Sequence, residues 1–130
     1  MRDFLYDCVA SAPSEAADRL AEARALFAET GGARDIPAQL PCVERFAALI
    51  ASEAFDSAAL ALLGPDTVFI LSRGGGGKAL ASVVSADGDE VTAEGSTTAL
   101  ALLAAQVSAL LADADYDSIA GDQPARARIN

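Results

Sequence analysis

The spacing of apolar positions along this chain changes twice. Ala16, Leu20, Ala23 and Phe27 recur at helical intervals, with Arg19, Glu22 and Glu29 off the stripe. The pattern predicts a helix over 14–30, with Ser14 as its N-cap and Gly31-Gly32 as its stop. Upstream, residues 1–10 fit two patterns: Asp3 can cap a short helix, and Phe4, Tyr6 and Cys8 also alternate as in a strand. The helical turn is the reading adopted. Beyond Pro37, a second stripe of Val43, Phe46, Ala47 and Ile50 predicts a helix over 41–53, with Pro41 in a first turn that tolerates proline. Asp56 then caps a third helix, 57–63, closed by Gly64 and Pro65, although Leu60 and Leu62 also fit a strand facing Val68 and Ile70.

Between Thr67 and Gly95 the period becomes that of strands. Val68-Phe69-Ile70-Leu71 is a continuous β-branched and aromatic run. It predicts a strand over 67–72, covered on both faces and central in its sheet. Gly74 to Gly77 turns the chain into a second strand, 79–85, with faces Leu80/Ser82/Val84 and Ala79/Ala81/Val83. Asp87-Gly88 is the dipeptide that tight hairpins select, because glycine accepts positive φ at little cost. The third strand, 90–94, alternates Val91 and Ala93 with Glu90, Thr92 and Glu94, which gives one wet face and a charge-protected edge.

A helix over 97–112 closes the pattern, capped by one of Ser96, Thr97 or Thr98. Leu100, Leu103, Val107, Leu110 and Leu111 share an arc of about 100°, wide enough to cover a sheet. Leu102, Ala105 and Ala109 form a smooth second face whose small residues admit another helix at close range. Either the N-terminal helices or a second protomer can occupy it, and with both faces covered this helix is the middle layer. The fold class expected is α+β: N-terminal helices, a three-stranded antiparallel meander and a long C-terminal helix packed on the sheet. Residues 1–112 form one domain, followed by an acidic, partly disordered tail, 113–130.

Composition supports a folded chain. The 130 residues are 52% hydrophobic, with a mean hydropathy of +0.30. That apolar content is enough for one domain with its own core. No apolar run approaches the roughly 18 residues of a membrane span, and acids interrupt the N-terminal segment where an export signal is apolar. A cytoplasmic location without membrane contact is the expectation. The two cysteines, Cys8 and Cys42, form neither a CxxC pair nor a zinc-like cluster and read as reduced thiols.

Charge adds more. The net charge is −10, and 79–125 holds eight acids (Asp87, Asp89, Glu90, Glu94, Asp113, Asp115, Asp117 and Asp122) with no Lys or Arg. A surface of that sign repels phosphate backbones, which argues against nucleic acid as a partner; it reads first as a solubilising face, with a docking surface for a basic partner or a decoy of nucleic acid as the alternatives.

Two motifs invite chemistry. Gly-Gly-Gly-Gly-Lys after a strand resembles a phosphate loop, but Ser72 stands at its first glycine position and Ala79 where a magnesium-binding hydroxyl is required. Asp113, Asp115 and Asp117 take positions 1, 3 and 5 of a calcium loop, yet Ser118 replaces the turn glycine and Pro124 the bidentate glutamate. With no histidine in the chain, Ser-His and Cys-His pairs are excluded. The expectation is a protein that is not an enzyme and takes no cofactor or metal.

The segment Glu90-Val-Thr-Ala-Glu-Gly-Ser-Thr-Thr-Ala-Leu-Ala-Leu-Leu-Ala-Ala resembles the ending of short phage-related proteins of the ABA-sandwich type. The resemblance covers at most Thr67 to Ala112, implies a meander running into an Ala/Leu helix, and implies no activity. The function expected is a non-catalytic protein–protein interaction module. Its surface would be drawn from Leu102, Ala105, Ala109, Asp87, Asp89, Glu94, Asp113, Asp115 and Asp117, and its partner would be a basic protein or a second copy. The alternatives are an acidic regulatory or phage-derived module mimicking nucleic-acid charge, and a minor enzyme or small-ligand-binding domain.

Overall fold

A computed structural model describes residues 1–29, 40–84 and 88–122. The order of elements is α1 (Arg2–Ala10), a 3-10 turn (Pro13–Glu15), α2 (Ala16–Glu29), α3 (Val43–Ala51), α4 (Phe55–Leu63), β1 (Phe69–Arg73), β2 (Ala79–Val84), β3 (Glu90–Gly95) and α5 (Thr98–Asp122). The three strands form one antiparallel sheet in the order β1-β2-β3. This is the α+β fold expected, with α5 packed on the sheet.

The centre of the molecule is α5. Ala99, Leu100, Leu103 and Val107 are buried, and so are Leu102, Ala105 and Ala109 on the other side. The sheet covers one side of this helix, and α1, α2 and α4 cover the rest. The middle-layer reading is therefore correct, and the small-residue face is filled from within the chain. The helix starts where Thr97 Oγ1 accepts the Leu100 N–H at 3.1 Å, an N-cap bond that satisfies one of the first-turn donors.

Close approach of α5 to the sheet depends on small residues. Ala79 and Ala81 line the inner face of β2 and are buried with Val83. At the end of β3, a Cβ on Gly95 would stand 2.7 Å from the Ala101 backbone nitrogen. Only glycine fits between strand and helix there without a backbone shift.

Polar bonds tie the helices together. Arg24 donates from Nε and a terminal nitrogen to the Pro41 carbonyl at 2.9 and 2.7 Å, joining α2 to the entry of α3. Ser96 Oγ donates to the Ser11 carbonyl at 2.8 Å, joining the end of α1 to the start of α5.

Several sequence expectations change. The run Val68–Leu71 belongs to an edge strand and is not covered on both faces: β2 is central, and Val68 and Ile70 are each 61% exposed. Ser14 lies inside the 3-10 turn and caps nothing; the Glu15 carboxylate instead accepts the Ala12 N–H at 2.8 Å. Pro41 precedes the Cys42 N-cap of α3, and Val43 and Ala47 of the second stripe are exposed, so Phe46, Leu49 and Ile50 face the core. Asp56 lies in the first turn of α4, where its carboxylate accepts the Thr98 hydroxyl at 2.5 Å. Residues 1–10 and 57–63 are helical, which removes their strand alternatives. The backbone of α5 runs to Asp122, ten residues past the expected end, so the first part of the presumed tail is helix. The Gly31-Gly32 stop, Asp87 and Gln123 onward lie outside the described residues.

Candidate functional site

Among the described side chains, the acids singled out from sequence are Asp89 and Glu94, and they stand apart. Asp89 and Glu94 are exposed at either end of β3. Glu94 pairs with Lys78 of the β1–β2 hairpin at 3.7 Å, where both side chains are largely in water and the pair adds little stability. Asp113, Asp115 and Asp117 lie on the helical backbone of α5 and not in a loop, and their side chains are outside the described residues. Leu102, Ala105 and Ala109 are 0%, 0% and 4% exposed, so they belong to the core and offer no surface to a partner. This corrects the sequence-based choice: alanine spacing revealed a close packing contact, and the contact is internal.

The glycine run is a hairpin turn. Gly74 donates to the Lys78 carbonyl at 2.8 Å, Gly77 donates back to the Gly74 carbonyl at 3.2 Å, and Gly77 has φ +84°. Because β2 follows directly, no helix N-terminus is present to receive a phosphate. Among the described residues, no three of His, Cys, Asp and Glu come close enough to hold a metal ion, and no helix is long and apolar enough to cross a membrane.

Among the described residues, Cys8 is the one titratable group with a large shift. Burial between α1 and its neighbours pushes the thiol up to about 12, Arg19 opposes this, and Asp7 and Glu22 add to it. It is therefore a protonated core residue, held where Arg19 of α2 pairs with Asp7 of α1 at 3.9 Å and with Glu22 at 3.3 Å. Cys42 is exposed and free.

What sequence reading missed is an apolar surface. The register pairs Phe69 with Val83, Leu71 with Ala81 and Arg73 with Ala79 on the α5 side. Ile70 and Ser72 pair with Ser82 and Leu80 on the opposite face, where Ile70 is 61% and Leu80 39% exposed. Val68, Ile70 and Leu80 therefore lie exposed on it, with Leu80 diagonal to Ile70. Beyond Leu80 the surface continues into an open groove of about 720 Å³ lined by Leu5, Tyr6, Val9 and Ala10 of α1, with Thr92 and Glu94 at its sheet side.

Eight large apolar side chains are exposed among the described residues, and six of them lie along this band or its β1 rim: Tyr6, Val9, Val68, Phe69, Ile70 and Leu80. Scattered apolar residues are ordinary on a protein surface, whereas a contiguous band marks a contact site. The signal available in sequence was a count of layers. With α5 between helices and sheet, no helix remains to cover the second sheet face. No known protein family, curated protein or solved structure matches this chain.

Proposed function

We propose that this chain is a non-catalytic protein–protein interaction module whose contact surface is the uncovered sheet face with its β1 rim. The observation that carries the reading is the placement of Val68, Ile70 and Leu80 in one exposed patch beside an apolar groove. Water contact with apolar area costs about 25 cal/mol per Å², and a partner that covers the band recovers it. The acids at the β3 end, Glu90 and Glu94, form a polar rim, the usual surround of an apolar contact centre. Mimicry of nucleic-acid charge has less support, since Glu94 is engaged by Lys78.

A photo-crosslinking residue at Ile70 or Leu80 tests the surface in the source cell, with Val43 and Leu60 as exposed apolar positions elsewhere. Protein adducts concentrated at Ile70 and Leu80 are expected. Equal or greater yield from Val43 and Leu60 rejects this surface.

A further inference from the structure

We infer that the occupant of the β1 rim is a second copy of this chain, paired antiparallel through β1 about a two-fold axis at Leu71. The inference rests on the interaction-surface reading and specifies its partner.

The backbone supplies the first argument. Val84 donates to the Val68 carbonyl at 3.0 Å and Gly74 donates to the Lys78 carbonyl at 2.8 Å. Even-numbered positions of β1 are therefore spent on β2. In an antiparallel ladder the bonding direction alternates, so the N–H and C=O groups of Phe69, Leu71 and Arg73 point away from the sheet. Among the described residues no strand pairs with that edge. A two-fold axis at Leu71 sets Leu71 against itself and Phe69 against the partner's Arg73. All three outward residues then form hydrogen-bonded pairs, joining two three-stranded sheets into one of six. The apolar outer faces become continuous, with Ile70 of each copy beside Ser72 of the other.

Charge selects the same edge and the same direction. The other edge, β3, carries Glu90 and Glu94, and a symmetric pairing about Thr92 would set Glu90 of each copy against Glu94 of the other. Within β1 the only charge is Arg73, at the exit, and Asp66 stands ahead of the entry. Antiparallel pairing brings the acidic entry of one copy toward the cationic exit of the other, within about a Debye length. A five-residue edge with one apolar patch falls short of the roughly 1,600 Å² of a standard interface. The dimer is therefore reversible and concentration-dependent. Because each chain carries −10 overall, association strengthens as added salt screens the mutual repulsion.

Sedimentation velocity of the full chain, from low-micromolar to near-millimolar concentration, is expected to show a monomer–dimer equilibrium. Ile70→Lys, at an exposed position that leaves the fold intact by circular dichroism, raises the dissociation constant about tenfold or more by placing charge in the apolar seam. Arg73→Pro removes an outward donor from each copy and acts in the same direction, while Arg73→Lys keeps that donor and stays within about twofold.

Register is read by disulfide trapping in a Cys42→Ser background. Leu71→Cys meets itself at about 5.5 Å between Cα atoms, within disulfide reach, whereas Ser72→Cys is offset to about 7–8 Å. Faster trapping at 71 supports the pairing. A monomer at every concentration, a dimer indifferent to both Ile70→Lys and Arg73→Pro, or equal trapping at 72 overturns it. If the chain is monomeric and crosslinks from Ile70 reach a different protein, the second copy is refuted and the contact surface stands. A monomer with no adducts at Ile70 or Leu80 refutes both.

Discussion

The two edges of the sheet face water under opposite rules. On β3, Glu90, Thr92 and Glu94 point to solvent, Val91 and Ala93 turn inward under α5, and α1 packs alongside. On β1, the face away from α5 carries Ile70 beside Val68, with the uncharged Ser72 beyond, and α5 touches the strand only at its margin, so that even inward-facing Phe69 is 38% exposed. Charge on an edge prevents further pairing, and an apolar edge invites it. A continuous hydrophobic run therefore has two meanings, a strand buried on both faces or a strand waiting for a cover, and the run itself does not distinguish them.

The largest expected difference between the two regions is in their dependence on α5. Leu103→Ala empties a buried core position of α5 and is expected to cost about 2–5 kcal/mol in urea unfolding, whereas Ile70→Ala, already in water, costs under about 1 kcal/mol at monomer concentrations. Equal losses would mean that the β1 face is covered and would break the contrast.

Next in size is the anchoring of the strands. Gly95→Ala forces the end of β3 off the Ala101 backbone and is expected to cost about 1–3 kcal/mol. A matching change in the β1–β2 hairpin, Gly76→Ala, meets no atom within 4 Å and stays within about 0.5 kcal/mol. Thermal unfolding of the pair measures how differently the two ends are held.

The helices flanking β3 can be probed by pH. Folding holds the Cys8 thiol protonated up to about 12, against an ordinary value of 9.0. Its burial contributes full stability below pH 9, and that contribution falls as pH rises from 9 toward 12, because only the unfolded chain loses the proton there. The slope approaches about 1.4 kcal/mol per pH unit. Denaturation curves of wild type and Cys8→Ala should therefore converge across that window. Parallel curves would show that the thiol is not sequestered.

The smallest effect serves as a control remote from both edges. Glu53 ends α3 with φ +59°, while Glu53 and Ala54 donate to the Ile50 and Leu49 carbonyls in a Schellman arrangement. Glu53→Gly removes left-handed strain and is expected to stabilise by up to about 1 kcal/mol without changing any difference between the β1 and β3 variants.

Much of the fold was legible from residue spacing. The α2 stripe of Ala16, Leu20, Ala23 and Phe27 is buried at every position, and the alternation in β3 gave its wet face and its place at an edge. The site was less legible. Expecting α5 in the middle layer and also a β1 covered on both faces asked the same helices to pack in two places. Ala105 and Ala109 announced a helix contact, but spacing carries no information on whether the contact lies within the chain or between chains.

Local pattern and turn chemistry by themselves determined α2, α3, the meander and the closing position of α5, because periodicity and glycine conformations act over a few residues, whereas α1 and α4 each kept a strand alternative. Only the tertiary structure decided which strand is central, which face of the sheet is left open and which small-residue face is filled. Those outcomes depend on how many covering layers the chain has to distribute, and that is a property of the assembled fold. The exposed β1 rim is the result: its residues have the composition of a core strand, and the helices that would have covered them are engaged around α5.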